Sequence, residues 1–214
     1  MIFLTAAILS FCSIIYELQL AALLASFLGN TIFRYILVVG LYLSALGIGA
    51  ILANRWLKTV NESAWFLCKL EVILSLLGSS SILLLGLFYL HSSALVFLFL
   101  SYSVVILIGI LSGFELPILL HLKIDKQPAI LAMNYFGAVA GSLFFSLFAF
   151  PQLGLFATSF LVGAFNGLVV VILAWKLKSK FLIMAGLFIV IILLLAIFAA
   201  TSWQDNFSAI FSAL

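Results

Sequence analysis

Charge is what this chain has least of. Lys, Arg, Asp and Glu make up 7% of its 214 residues, hydrophobic residues 67%, and the mean hydropathy is +1.46. A soluble domain carries about 25% charged residues. Nine Lys/Arg and six Asp/Glu cannot cover a water-facing globule of this length. That excludes a soluble enzyme, a nucleic-acid partner and a disordered tail. Cysteine is limited to Cys12 and Cys68, both in or at the edge of apolar runs, with no CxxC spacing. The chain therefore offers no disulfide framework, no metal or redox motif and no implied cofactor. His91 and His121 stand alone and read as loop-edge histidines. No strand alternation, phosphate-cradling glycine loop or Ser/His/Asp grouping occurs, so no residue is assigned a catalytic role.

What is present is long apolar runs, at about 2–28, 33–54, 65–90, 94–120, 129–150, 156–175 and 181–201. A span needs roughly 20 apolar residues, and backbone in hydrocarbon must pair internally, so each run is expected to be a helix. The fold class expected is an all-α integral membrane protein, a polytopic bundle of about seven transmembrane helices. The first run lacks a basic leader, carries Glu17 and is too long for a signal peptide core, so it reads as the first span. Gly29–Thr31, Arg55–Ser63, His91–Ser93, Lys123–Pro128, Pro151–Gln152 and Lys176–Lys180 separate the runs. The four tryptophans Trp56, Trp65, Trp175 and Trp203 fall at run ends, where such rings prefer the headgroup layer. The second, fourth and sixth connections hold Arg55, Lys58, Lys69, Lys123, Lys126, Lys176, Lys178 and Lys180, against Arg34 alone in the others. Cytoplasmic loops collect Lys and Arg. The alternation predicts the N-terminus inside, the C-terminus outside and a multi-pass protein of the cell (inner) membrane. Residues 1–201 form the transmembrane domain on this reading. Residues 202–214 form a short tail whose stripe of Trp203, Phe207, Ile210, Phe211 and Leu214 fits an interfacial amphipathic helix.

Three carboxylates fall inside the runs: Glu17, Glu71 and Glu115. A mid-bilayer charge costs at least ~2.5 kcal/mol, so such groups face a bundle interior or wet cavity and mark function. Glu17 sits near mid-depth with Tyr16, Gln19 and Ser13 for company. From the run boundaries, Glu71 and Glu115 lie roughly 8–9 Å from the cytoplasmic ends of their helices. A neutral acid bonded to a neighbouring helix is the alternative for Glu17, and an ion pair with Lys123 or Lys69 for Glu115. Pro117 lacks an N–H, so the helix should kink and free the Gly113 carbonyl beside Glu115, a pair of acceptors suited to a cation. Small residues recur four apart at Gly109/Gly113, Gly137/Gly141 and Gly163/Gly167, with a similar stripe at Gly40, Ser44 and Gly47. These predict close helix packing. Asn134 and Asn166 fall near the same faces and are placed to bond across helices.

Several of these stretches, in order, resemble a known membrane family. They are Tyr16-Glu17-Leu18, Ser26–Thr31, Gly40–Gly49, Leu70-Glu71, Gly113–Pro117, Asn134–Ala138, Gly141–Leu143 and Pro151–Leu155. Over about residues 10 to 175 the chain resembles the N-terminal transmembrane domain of bacterial membrane-bound polyamine aminopropyltransferases, the spermidine-synthase-like membrane proteins. The resemblance places all three intramembrane glutamates at motif positions. It departs where the family usually has Asp and this chain has Asn134. It departs again where the family continues into a Rossmann-like domain that binds decarboxylated S-adenosylmethionine and a diamine. This chain ends at Leu214 with no nucleotide loop or acidic cluster, so the enzymatic activity is not expected of it.

Two functional readings follow. The first is a non-catalytic membrane subunit or anchor working with a separate protein subunit or as a homo-oligomer in the lipid bilayer. The second is a transporter or binder of a polyamine or other cation. Its candidate ligand residues are Glu17, Glu71, Glu115, Tyr16, Gln19 and Asn134.

Overall fold

The computed structural model describes residues 2–55, 57 and 59–212, with side chains up to residue 200. Helix α1 spans Ile2–Leu28, α2 Thr31–Ala53, α3 Val60–His91, α4 Ala94–Gly113 and α5 Glu115–Leu122. A single 3-10 turn leads into α6, Gln127–Phe144, which widens into a π-helical segment, Phe145–Leu153. Then come α7, Gly154–Lys176, and α8, Lys180–Ser212. Among the described residues, six helical stretches are long and apolar enough to cross a membrane.

The expected runs 129–150 and 156–175 are joined here into one stretch, Ile124–Lys176, of 53 residues. Pro151 was expected to mark a loop; it lies within the π-helical segment instead. The break comes at Gly154, whose φ of 70° and ψ of −178° need a residue without Cβ. The two halves run in opposite directions along α1. Gly137 meets Ala7 and Gly141 meets Phe11 and Ile14, so numbers rise together. On the other half Cys12 Sγ reaches the Val162 carbonyl at 3.7 Å, while Leu173 lies with Ile2 and Thr5 around a small cavity.

The sharp turn between α1 and α2 rests on Gly29 and Asn30, both at positive φ. α3 starts five residues before its apolar run because Thr59 and Glu62 form a capping box, each bonding the other's backbone N–H. The predicted close packing is borne out at all three glycine pairs. Gly109 faces Tyr42 and Ala45, and Gly113 faces Leu46 and Gly49, so α4 lies on α2. Gly163 meets Ser75 and Ser79 of α3, and Gly167 meets Val190 and the Gly186 carbonyl of α8. The fourth stripe is a correction. Gly40 and Gly47 have nothing within 4 Å of a built Cβ, and Ser44 is exposed. α2 packs through Tyr42, Ala45 and Gly49 instead, a face about 100° away per intervening residue.

Polar side chains stitch the interior. Asn166 bonds across helices as expected, donating from Nδ2 to the Tyr16 hydroxyl at 3.3 Å. Ser75 Oγ donates to the Gly163 carbonyl at 2.6 Å and Ser159 Oγ to the Ser79 carbonyl at 3.0 Å. Both cysteines are free and buried, their sulfurs 3.7 Å from α7 carbonyls. Connections rich in Lys and Arg gather at one end of the bundle: Val60, Leu122 and Leu177 surround one small cavity, and Asn54, Leu57 and Ile124 line another. α8 is continuous through Ser212, and the expected side-chain stripe of the tail lies outside the described residues.

Candidate functional site

A cavity of about 720 Å³ lies among α1, α2, α4, α5 and α6, within the roughly 300–1,000 Å³ of small-molecule sites. α1 contributes Ser10, Ser13, Ile14 and Glu17, which is one helical face read at i, i+3, i+4 and i+7. α2 contributes Leu43, Leu46, Gly47, Ala50 and Asn54 on a face of similar spacing. Across from them stand Ser112, Glu115, Pro117 and His121, and α6 adds Asn134, Tyr135 and Ala138. Glu17 and Glu115 are 4% and 6% exposed, so both carboxyls see the cavity and little else. Among the described residues, no Lys or Arg lines it. The ion-pair alternative for Glu115 is not realised: among the described residues no salt bridge joins it to Lys69 or Lys123.

The helix break supports this wall. α4 ends at Gly113 and α5 begins at Glu115, four and two residues ahead of Pro117. Pro117 cannot donate to the Gly113 carbonyl, and Phe114 N–H turns back to the Leu111 carbonyl at 3.2 Å. The helix is thus interrupted just ahead of Pro117, and Glu115, the first residue after the interruption, lines the cavity. Beside it, the buried Tyr42 hydroxyl lies 3.2 Å from Ser13 Oγ, 3.1 Å from the Ser13 carbonyl and 3.2 Å from Ser112 Oγ. That hydroxyl cluster fixes α1, α2 and α4 around the two carboxyls.

The six candidate residues divide between two places. Glu17, Glu115 and Asn134 come together at the cavity. Tyr16, Gln19 and Glu71 do not line it. Tyr16 points to the α3–α7 side, donating to the Leu74 carbonyl at 3.4 Å. Sequence neighbours of Glu17 are turned about 100° per residue around the helix, so adjacency to the glutamate carried Tyr16 and Gln19 to other faces. Glu71 is fully buried, with neither carboxyl oxygen hydrogen-bonded. Because α3 begins at Val60, Glu71 lies ~16 Å from that helix end, about twice the depth read from the apolar run. Gln19 is buried too, both amide atoms without partners.

The sequence reading missed His121, Gln127, Asn54 and Ser112 as cavity residues. Ser112 had a signal, standing three residues before Glu115 in the same apolar run, across the break between α4 and α5. His121 shares a face with Pro117 at i+4. Asn54 and Gln127 lie at helix ends and carried no sequence signal.

Comparison with known proteins finds curated relatives that are all polyamine aminopropyltransferases among those most similar. The one from Leptospira interrogans is 33% identical over 205 residues, covering 91% of this chain and 40% of its own length. That of Oceanobacillus iheyensis is 31% identical, covering 84% of this chain and 36% of its own length. Polyamine aminopropyltransferase 1 of Streptomyces coelicolor is 30% identical, with 89% and 37% covered. The chain thus spans about two fifths or less of the curated relatives it matches. No family model matches the chain. No solved structure matches it.

Proposed function

We propose, starting from homology to the membrane part of polyamine aminopropyltransferases, that these residues form a membrane-embedded binding domain for a polyamine or similar organic cation. One observation carries the reading: Glu17 and Glu115 line a single cavity in which, among the described residues, no Lys or Arg stands. A buried carboxylate without a counter-charge is costly, and an ammonium ligand supplies that charge together with hydrogen-bond donors. Asn134 adds an amide oxygen at the same wall. The names of the relatives supply the choice of polyamine. Binding, not passage, is the activity proposed, since the cavity lining runs from Asn54 and Ile124 at the cation-rich end only as far as Glu17.

Spermidine titrated into the purified protein in nanodiscs tests this. Binding should be present in the native protein and fall at least about tenfold in Glu17→Gln and in Glu115→Gln, the loss of one charge-assisted contact of about 1.5 kcal/mol. Unchanged binding in both variants, with folding intact, defeats the reading.

The placement in the membrane belongs to the same proposal. The opposite directions of α6 and α7 along α1 support seven crossings, with the N-terminus inside. The gathering of Lys and Arg connections at one end supports an orientation with that end cytoplasmic, in the inner membrane.

A second reading is a non-catalytic membrane anchor that works with a separate protein or a second copy. The exposed small-residue stripe Gly40–Ser44 on α2 favours it. Purification in mild detergent with mass spectrometry of bound proteins tests it; a monomer without partners counts against it.

A further inference from the structure

The cavity opens sideways as well as along the bundle axis. Leu43 and Tyr135 line it yet are 54% and 68% exposed on the outer surface. Gly47 lines it too, and a Cβ there would meet nothing within 4 Å. Leu43 and Gly47 belong to α2 and Tyr135 to α6. Both helices pack on α1, and they share no packed interface with each other. The gap between them therefore leads from the carboxyls straight out of the bundle.

Its depth is set by the helices. Leu43 lies ~15–18 Å from either end of α2, and Tyr135 ~12 Å inside the start of α6. With a hydrocarbon core of about 30 Å, the gap opens onto acyl chains, not onto headgroups or water. The axial mouth differs in charge. Its lining residues Asn54 and Ile124 adjoin Arg55 and Lys123, with Lys126 one turn on, all exposed, against the single acid Asp125. A cation arriving along the axis meets a net positive rim, whereas the lateral gap carries no charge. Ile14, Leu46 and Leu116 add apolar wall to the cavity beside the polar Ser13 and Asn134.

Resting on the reading of this cavity as an amine site, the geometry points to an amphiphilic amine as its occupant. Its ammonium groups lie at Glu17 and Glu115, and its single alkyl chain leaves between Leu43 and Tyr135 into the lipid. An alkyl chain leaving through that gap lies against Leu43, Tyr135 and the surrounding acyl chains, and the carboxyls select the head. A tail-less amine leaves the gap to lipid and gains nothing from it.

The test uses the full 214-residue chain in phosphatidylcholine nanodiscs with labelled spermidine. Two competitors are compared, 1,3-diaminopropane and its N-dodecyl derivative, both counted as total concentration. The quantity read is the ratio of their affinities. In the native protein the tailed amine should be favoured by about tenfold or more, equivalent to burying two methylenes. Leu43→Trp, which fills the gap, should lower that ratio about tenfold or more relative to the native protein, and Leu43→Ala should keep it. Because partitioning of the tail is the same in all three proteins, a ratio unchanged by Leu43→Trp overturns the inference. Equal affinities in the native protein also overturn it while leaving the amine reading standing. Absence of binding by any of the amines removes both.

Discussion

The Tyr16 hydroxyl accepts from Asn166 Nδ2 at 3.3 Å and donates to the Leu74 carbonyl at 3.4 Å. One side chain of α1 is thereby tied to α7 and α3. Removing the hydroxyl leaves the Asn166 amide, already short of a partner at Oδ1, without one at Nδ2 as well. Tyr16→Phe should lower stability by about 1 kcal/mol, visible as a lower midpoint in detergent thermal unfolding. Asn166→Leu in the same background should recover part of the loss, because no orphaned amide then remains.

Glycines that look alike in the sequence should behave in opposite ways. A Cβ at Gly137 would run into the Ala7 carbonyl backbone, so Gly137→Leu forces α6 off α1. A loss above about 2 kcal/mol is expected, with poor recovery from membranes. Gly40→Leu meets open space and should change stability by less than about 0.5 kcal/mol. Parallel thermal unfolding of the two variants checks the contrast.

Glu71 should be dispensable for amine binding. It is fully buried, neither carboxyl oxygen has a hydrogen-bond partner, and it is not among the residues that line the cavity. An unsatisfied buried polar group costs about 1–3 kcal/mol, so Glu71→Leu should raise the unfolding midpoint and leave spermidine titrations unaltered. A lower midpoint would show that the carboxyl holds an internal water or ion.

Cys12 and Cys68 should resist a membrane-permeant maleimide in the folded protein. Both are buried, at 1% and 0% exposure, with sulfurs turned to α7 carbonyls. Mass spectrometry should find no adduct before denaturation in SDS and two after it. Rapid native labelling would contradict the packing of α1 and α3 on α7.

Helix existence was legible because apolar run length and backbone pairing leave hydrocarbon no other choice. Gly109, Gly137 and Gly163 were legible for the same reason: close approach demands small residues whatever the partner. Facing was not. Gly40 and Gly49 share a helix and a residue type, yet only Gly49 meets a neighbour. The site was legible as far as Glu17 and Glu115, since carboxyls in apolar runs must find polar surroundings. Asn54 and Gln127 were invisible because polar residues at helix ends are ordinary, and only the fold brings these two to one cavity. The depth of Glu71 was misread because the Thr59–Glu62 box winds helix from polar residues that hydropathy assigns to a loop.

The π-helical segment joining α6 to α7 has a mechanical consequence. With no slack loop at that end, α6, which presents Asn134, and α7, which presents Asn166, meet at the Gly154 break and cannot part there without unwinding helix. The same α7 is tied to α1 through Asn166 and Tyr16 and packs on α8 where Gly167 meets Val190 and Gly186.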